Sequence, residues 1–286
     1  MEPEPRSPAV AGTFYAEDGS ALARQIEACF LSDRGPGALP TRQRSRTRRL
    51  RAVVVPHAGY EYSGPIAALA YARIAAEAPP EAVVILGVDH YGLGRGPALS
   101  DRPWATPLGP VAVDHGLVER LRVPPIAVDE AAHAREHSIE VQLPFLDYVL
   151  PHPRFVALQV PFAPIEELRR VGEAVARAVE GRDVLLVAST DLSHYVPAPT
   201  ADRLDHLALA AIEARDPVGL YRTVVEQEIS MCGIAPTTAL LFATAAQPLE
   251  VTLLRWGHSG EAAPMREVVG YAALALARPA DAATAP

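Results

Sequence analysis

Nine histidines are spread over 286 residues, and three of them stand just past short apolar runs. Arg51-Ala52-Val53-Val54-Val55-Pro56 leads to His57, Ala82-Val83-Val84-Ile85-Leu86-Gly87 leads to His90, and Asp183-Val184-Leu185-Leu186-Val187-Ala188 leads to His194. Each run reads as a buried strand. In an open α/β sheet, ligands bind in the crevice outside the carboxyl ends of parallel strands. Three imidazoles delivered to that edge from distant segments would form one polar pocket, and imidazole is the commonest metal ligand in proteins. Cys232, in Ser230-Met231-Cys232-Gly233-Ile234-Ala235-Pro236, precedes an expected helix. A helix N-terminus favours the thiolate that binds metals, and Gly233 permits close backbone approach. The competing reading is a buried structural thiol, the one Cys29 takes on the apolar face of a surface helix.

The elements that would position these residues alternate. Helices are expected over 19–31, 65–76, 138–150, 164–179, 200–214, 216–229 and 235–245. Strands are expected over 51–55, 82–87, 154–160, 183–188, 250–255 and 267–276. Residues 91–114, with Gly92, Gly94, Gly96 and several prolines, read as irregular. The pattern predicts an α/β three-layer sandwich, a central mostly parallel sheet flanked by helices, formed by a single domain over 1–276. The Ala/Pro-rich tail 277–286 is expected to be disordered.

Composition bounds the rest. A hydrophobic fraction of 49% and a charged fraction of 21% are ordinary for a globular chain. No run approaches the ~20 apolar residues that span a bilayer, and the start Met1-Glu2-Pro3-Glu4-Pro5-Arg6 does not read as a secretory signal. The net charge of −8 argues against nucleic-acid binding. All 26 basic residues are Arg, and Asn is absent as well, which excludes Schiff-base lysine chemistry, the P-loop lysine and N-glycosylation. Heavy Ala and Pro use points to a GC-rich bacterial genome. Two cysteines fit a reducing compartment, so the expected location is the cytoplasm.

Longer motifs carry a resemblance. Pro8-Ala9-Val10-Ala11-Gly12-Thr13-Phe14-Tyr15, Pro56-His57-Ala58-Gly59-Tyr60-Glu61-Tyr62-Ser63-Gly64, Ile85-Leu86-Gly87-Val88-Asp89-His90 and Thr106-Pro107-Leu108-Gly109 resemble the Memo family. Glu136-His137-Ser138-Ile139-Glu140-Val141-Gln142-Leu143-Pro144-Phe145, Thr190-Asp191-Leu192-Ser193-His194 and Met231-Cys232-Gly233 follow in the same order, so the resemblance runs from about residue 6 to 276. It implies a fold similar to the class III extradiol dioxygenases, non-haem Fe(II) enzymes. It also implies metal ligands at His57, His90 and Cys232, with Fe(II) first, and copper or zinc as alternatives. His194 takes the position of an acid/base histidine with Asp191 nearby, and the partners implied are the Ammecr-type and radical SAM proteins of the three-component AmmeMemoRadiSam system.

Two imidazoles and one anion with open positions suit non-haem iron, but sulfur equally suits zinc or Cu(I). A thiolate beside O₂ chemistry is itself oxidisable. Where the family has Gly-Pro-Ser/Asn-His, this chain reads Gly87-Val88-Asp89-His90; Asp89 either adds a carboxylate or caps the turn, and capping is favoured. His137 and Glu140 share a helical face, so Glu140 could orient an imidazole in the pocket, against the plainer reading of a helix start capped by Ser138. The run Arg42, Arg44, Arg46, Arg48, Arg49 and Arg51 reads as a solvated loop. Tyr60, Tyr62, Tyr91 and Tyr195 either wall the site or fill core. Two functions follow: a metal-dependent oxidoreductase acting on a small-molecule substrate, or a non-catalytic metal- or peptide-binding protein. A hydrolase built on Ser193 and His194 is weaker, because no Gly-x-Ser-x-Gly elbow is present.

Overall fold

A computed structural model describes residues 4–41 and 47–280. The strands are β1 (Leu50–Val55), β2 (Ala82–Gly87), β3 (Ala98–Leu99), β4 (Trp104–Thr106), β5 (Gly109–Val113), β6 (Ala127–Val128), β7 (Arg154–Gln159), β8 (Val184–Ser189), β9 (His194–Val196), β10 (Glu250–His258) and β11 (Val268–Ala277). They make one sheet whose main path runs β10-β11-β1-β8-β2-β7-β3-β6. Its centre, β1-β8-β2-β7, is parallel throughout. Antiparallel pairing is confined to the sides, where β11 joins β1 and β10, and β3 joins β7. Every residue of β2 and β8 is buried, as expected of strands covered on both faces.

The helices are α1 (Gly19–Leu31), α2 (Gly64–Ala76), α3 (His115–Leu121), α4 (Glu130–His133), α5 (Leu143–Val149), α6 (Ile165–Val179), α7 (Ala198–Glu213), α8 (Pro217–Glu226) and α9 (Ile234–Thr244). One layer groups α1, α2 and α5; the other groups α3, α6, α9, α8 and α7. All of α9 is buried, between β8 and β2 on one side and α6 on the other. A helix that is apolar all round is a core helix.

The expected elements stand, with two corrections. Residues 91–114 contain β3, β4 and β5, short strands at the sheet's edge that turn-rich composition hid. The helix expected over 138–150 is shorter: a 3₁₀ turn at Glu140–Gln142 leads into α5. Ser138 does not cap it. Its hydroxyl accepts from Val88 N at 2.9 Å and its carbonyl accepts from the Ser189 hydroxyl at 2.7 Å, so the segment ties strand ends together. Pro144 lies in the first turn of α5, where a missing N–H costs little. At the C-terminal end, β11 reaches Ala277; residues 281–286 of the expected tail lie outside the described residues.

Candidate metal centre

The parallel register sets the site. Val55 is level with Ser189, and Thr190 N donates to the Val55 carbonyl at 2.9 Å, so the chain leaving β8 runs beside the chain leaving β1. His57 N donates to Asp191 Oδ1 at 2.8 Å, fixing where the first imidazole starts. From β2, Asp89 Oδ1 accepts Gly92 N at 2.8 Å and Gln159 Nε2 at 3.1 Å, the turn-capping role. Cys232 comes from the other direction, ahead of α9. Gly233 N donates to Thr190 Oγ1 at 3.0 Å, and a Cβ at Gly233 would sit 2.2 Å from Thr190 Cβ. Only glycine lets this loop press against the end of β8.

The three expected ligands therefore meet. Ligand atoms of His57, His90 and Cys232 all lie within 4.8 Å of one another. His57 Nε2 is 3.3 Å from Cys232 Sγ, and the His57 and His90 rings are 5.2 Å apart, nearly perpendicular. Burial, with repulsion from His137 and His90, pushes the His57 pKa well below its usual value, so the ring is neutral and keeps a lone pair for a cation. Burial raises the Cys232 thiol above its usual value, and Asp191 adds to the rise. The thiolate expected from a helix N-terminus is thus outweighed by desolvation. A bound cation reverses that balance, since a coordinating thiol loses its proton outright. Two imidazoles, that of His57 buried and neutral, and a thiol that only a cation would ionise are a donor set that fits a soft or borderline metal.

The residue that orients His90 is Glu136, which sequence reasoning passed over. Its Oε1 accepts His90 Nδ1 at 2.9 Å, and the same carboxylate takes His90 N, His137 N and Ser138 N. A carboxylate only accepts when ionised, so His90 carries its proton on Nδ1 and presents Nε2. Glu140 does not orient an imidazole. Fully buried, it pairs with Arg6 Nη1 at 2.6 Å and accepts Ala9 N, Val10 N and the Tyr15 hydroxyl. The adjacent Glu136-His137 pair was visible in sequence, but its contact with His90, 46 positions away, was not.

His137 is brought to the site. Its ring stacks on His90 at 4.6 Å and lies 5.6 Å from His57, and Phe14 packs edge-on against it at 4.9 Å. Its Nδ1 is buried with no hydrogen-bond partner, and burial lowers its pKa to about 4. His194 heads β9, half-buried, with Nδ1 2.8 Å from the Ser230 carbonyl. A carbonyl cannot donate, so this ring too is protonated on Nδ1 and free on Nε2. Among the described residues it belongs to no ligand cluster. Asp191 is buried, which lifts its pKa to about 6.

The tyrosines divide. Tyr60 is core, its hydroxyl bonded to the Val141 carbonyl at 2.7 Å, and Tyr62 is half-buried against the same core. Tyr91 faces His137 at 6.5 Å under the Arg135 guanidinium, and Tyr195, 74% exposed with φ 56, flanks His194 at 5.9 Å. The solvated reading of the arginine run fails at Arg48, which is buried and paired with Asp183; Arg51, half-buried, pairs with the same carboxylate, and Arg42, Arg44 and Arg46 lie outside the described residues. His133 is structural: it is buried with Nε2 3.1 Å from the Ala98 carbonyl.

Comparisons with known proteins give the family and the fold. A family model described as Memo-like protein matches residues 6–275. A MEMO1 family protein of Methanopyrus kandleri is 42% identical over 283 residues, covering 96% of this chain and 99% of that protein. Another, from Methanothermobacter thermautotrophicus, is 41% identical over 94% of this chain and 99% of its own. Both relatives are archaeal, so they do not point to the bacterial source that composition suggested. A crystal structure of an uncharacterized protein from Escherichia coli K12 superposes with a TM-score of 0.54 at 19% identity, covering 79% of this chain and 99% of that one, which shows the same fold. No helix among the described residues is long and apolar enough to cross a membrane.

Proposed function

This chain belongs to the Memo-like protein family, and from that premise we propose that its strand-end crevice is a metal centre for oxidoreductase chemistry on a small molecule. The observation that carries the proposal is the meeting of His57, His90 and Cys232, from three distant segments, with ligand atoms within 4.8 Å. These three side chains would hold the ion, Fe(II) or copper in preference to zinc. A redox-active ion there supplies electron transfer and a place for substrate to bind. The chain's own residues do the rest. Glu136 holds the His90 ring in place. His194 Nε2 is free to take or give a proton, and the buried Asp191 carboxylate anchors the loop carrying His57. His137 lines the same pocket as a polar group for substrate. The Ammecr-type and radical SAM proteins are the proposed partners.

Anaerobic titration of Fe(II), Cu(I) and Zn(II) into the purified protein tests the ligand set. Cys232→Ser is expected to weaken binding by at least about tenfold, whereas His194→Ala retains the ion. Equal affinity in Cys232→Ser removes sulfur from the ligand set; loss of metal in His194→Ala makes that imidazole a ligand, a set closer to structural zinc.

A second reading, a metal- or peptide-binding protein without catalysis, is favoured by the sulfur ligand, which O₂ chemistry at the adjacent ion would oxidise. An oxygen electrode separates the two. The iron-loaded oxidoreductase is expected to consume O₂ with some phenolic or heteroaromatic substrate, alone or with its partner proteins. No uptake in either condition selects the binding protein.

A further inference from the structure

His90 and His194 have acceptor-only partners at Nδ1, which settles where their protons lie. His57 is different. Its Nδ1 faces the Ser189 hydroxyl at 3.0 Å, and a hydroxyl can either donate or accept. The direction of that bond decides whether Nε2 offers Cys232 a lone pair or an N–H.

The surroundings of Ser189 decide it. Among the described residues, Ser189 Oγ has three polar neighbours: His57 Nδ1, Gln142 Nε2 at 2.8 Å and the Ser138 carbonyl at 2.7 Å. The carbonyl can only accept, so it takes the single hydroxyl hydrogen. The Gln142 amide is itself oriented: one side lies 3.0 Å from the Pro56 carbonyl, which requires the NH₂ there, and the other accepts the Tyr71 hydroxyl at 2.8 Å. Gln142 therefore donates to Ser189. With its hydrogen given away and one lone pair filled, Ser189 has a single lone pair left, and only an Nδ1–H can use it. Tyr71, Gln142, Ser138 and Ser189 are all buried, so bulk solvent does not reach these positions.

We propose that Ser189 and Gln142 are positioning residues: a buried hydrogen-bond relay from Tyr71 through Gln142 and Ser189 locks His57 in the Nδ1–H tautomer and turns its Nε2 lone pair toward Cys232. The relay spans α2, the 3₁₀ turn and the last residue of β8, so the helix layer and the sheet jointly fix the proton on one ring. Its consequence for metal affinity rests on the metal-centre reading; the tautomer does not.

The test uses the metal-free protein with ¹⁵N-labelled histidine at neutral pH, the His57 signals being assigned by their loss in His57→Asn. Long-range ¹H–¹⁵N correlation is expected to show a protonated Nδ1 and a bare Nε2. Ser189→Ala is expected to lose that preference and bind Zn(II) about 10–100-fold more weakly, the usual effect of removing a ligand's orienting partner. Ser189→Thr, which restores the hydroxyl, is expected to recover both. A wild-type His57 protonated on Nε2 overturns the relay, and that measurement stands even if Ser189→Ala does not fold. A folded Ser189→Ala that keeps both the Nδ1–H tautomer and wild-type Zn(II) affinity also overturns it. Wild type that binds no metal but shows the Nδ1–H tautomer would sink the metal-centre reading and leave the relay standing.

Discussion

Glu140→Ala is expected to destabilise the fold by about 3–5 kcal/mol, the cost of leaving one partner of a buried ion pair alone. Arg6 and Glu140 are 6% and 0% exposed at the side chain, and their contact is 2.6 Å. The carboxylate also satisfies Ala9 N, Val10 N and the Tyr15 hydroxyl, so its removal orphans four donors together. Arg6 has further bonds to the His133 and Glu136 carbonyls, and its guanidinium lies over Trp104 at 4.1 Å. It stays buried, now without its counter-charge. Replacing both partners by apolar residues is not expected to restore stability, because the Ala9 and Val10 N–H groups remain unpaired. Urea unfolding of Glu140→Ala, Arg6→Ala and the double variant measures the coupling, and the two costs are expected to be strongly non-additive. Additive losses would mean that the two groups act separately. The damage should reach the site as well, since these bonds hold the segment carrying Phe14 against His137.

How much of this was legible in sequence depends on range. Apolar runs of five or six residues gave β1, β2, β7 and β8, because a strand covered on both faces must be apolar throughout. The same rule placed His57, His90 and His194 at one edge. Strands β3 to β6 escaped: being short, and all but β3 partly exposed, they owe their pairing to neighbours rather than to their own composition. At the site, Asp89 was legible as a cap, since a side chain bonding three residues ahead is a local event. Glu136 and Ser189 were not, because each acts on a histidine many positions away. Glu140 was misread for the same reason. Helical spacing put it beside His137, while its partners come from residues 6–15 across the fold.

Glu136→Gln should show most clearly how that unread carboxylate serves the site. Glu136 Oε1 accepts His90 Nδ1, His137 N and Ser138 N, and Oε2 accepts His90 N, with side-chain exposure of 0%. Burial works to raise its pKa, yet the bonds from His90 and from the Ser138 and His90 backbone hold the carboxyl well below its usual 4.5. A glutamine has one acceptor oxygen, so its NH₂ must face a backbone N–H or the His90 ring, and one donor is left against another. The expected cost is about 1–3 kcal/mol of stability and about 10–100-fold in metal affinity, because His90 loses the group that fixes its tautomer. The pH dependence changes too. With the folded pKa below the unfolded one, ionised Glu136 contributes stability above about pH 4.5 that is lost as pH falls further. In Glu136→Gln that part of the acid-side slope should disappear. Urea midpoints between pH 3 and 7, run beside Zn(II) titrations, read both effects. An unchanged acid slope together with wild-type affinity would mean that His90 is held by its ring contacts with His57 and His137 alone.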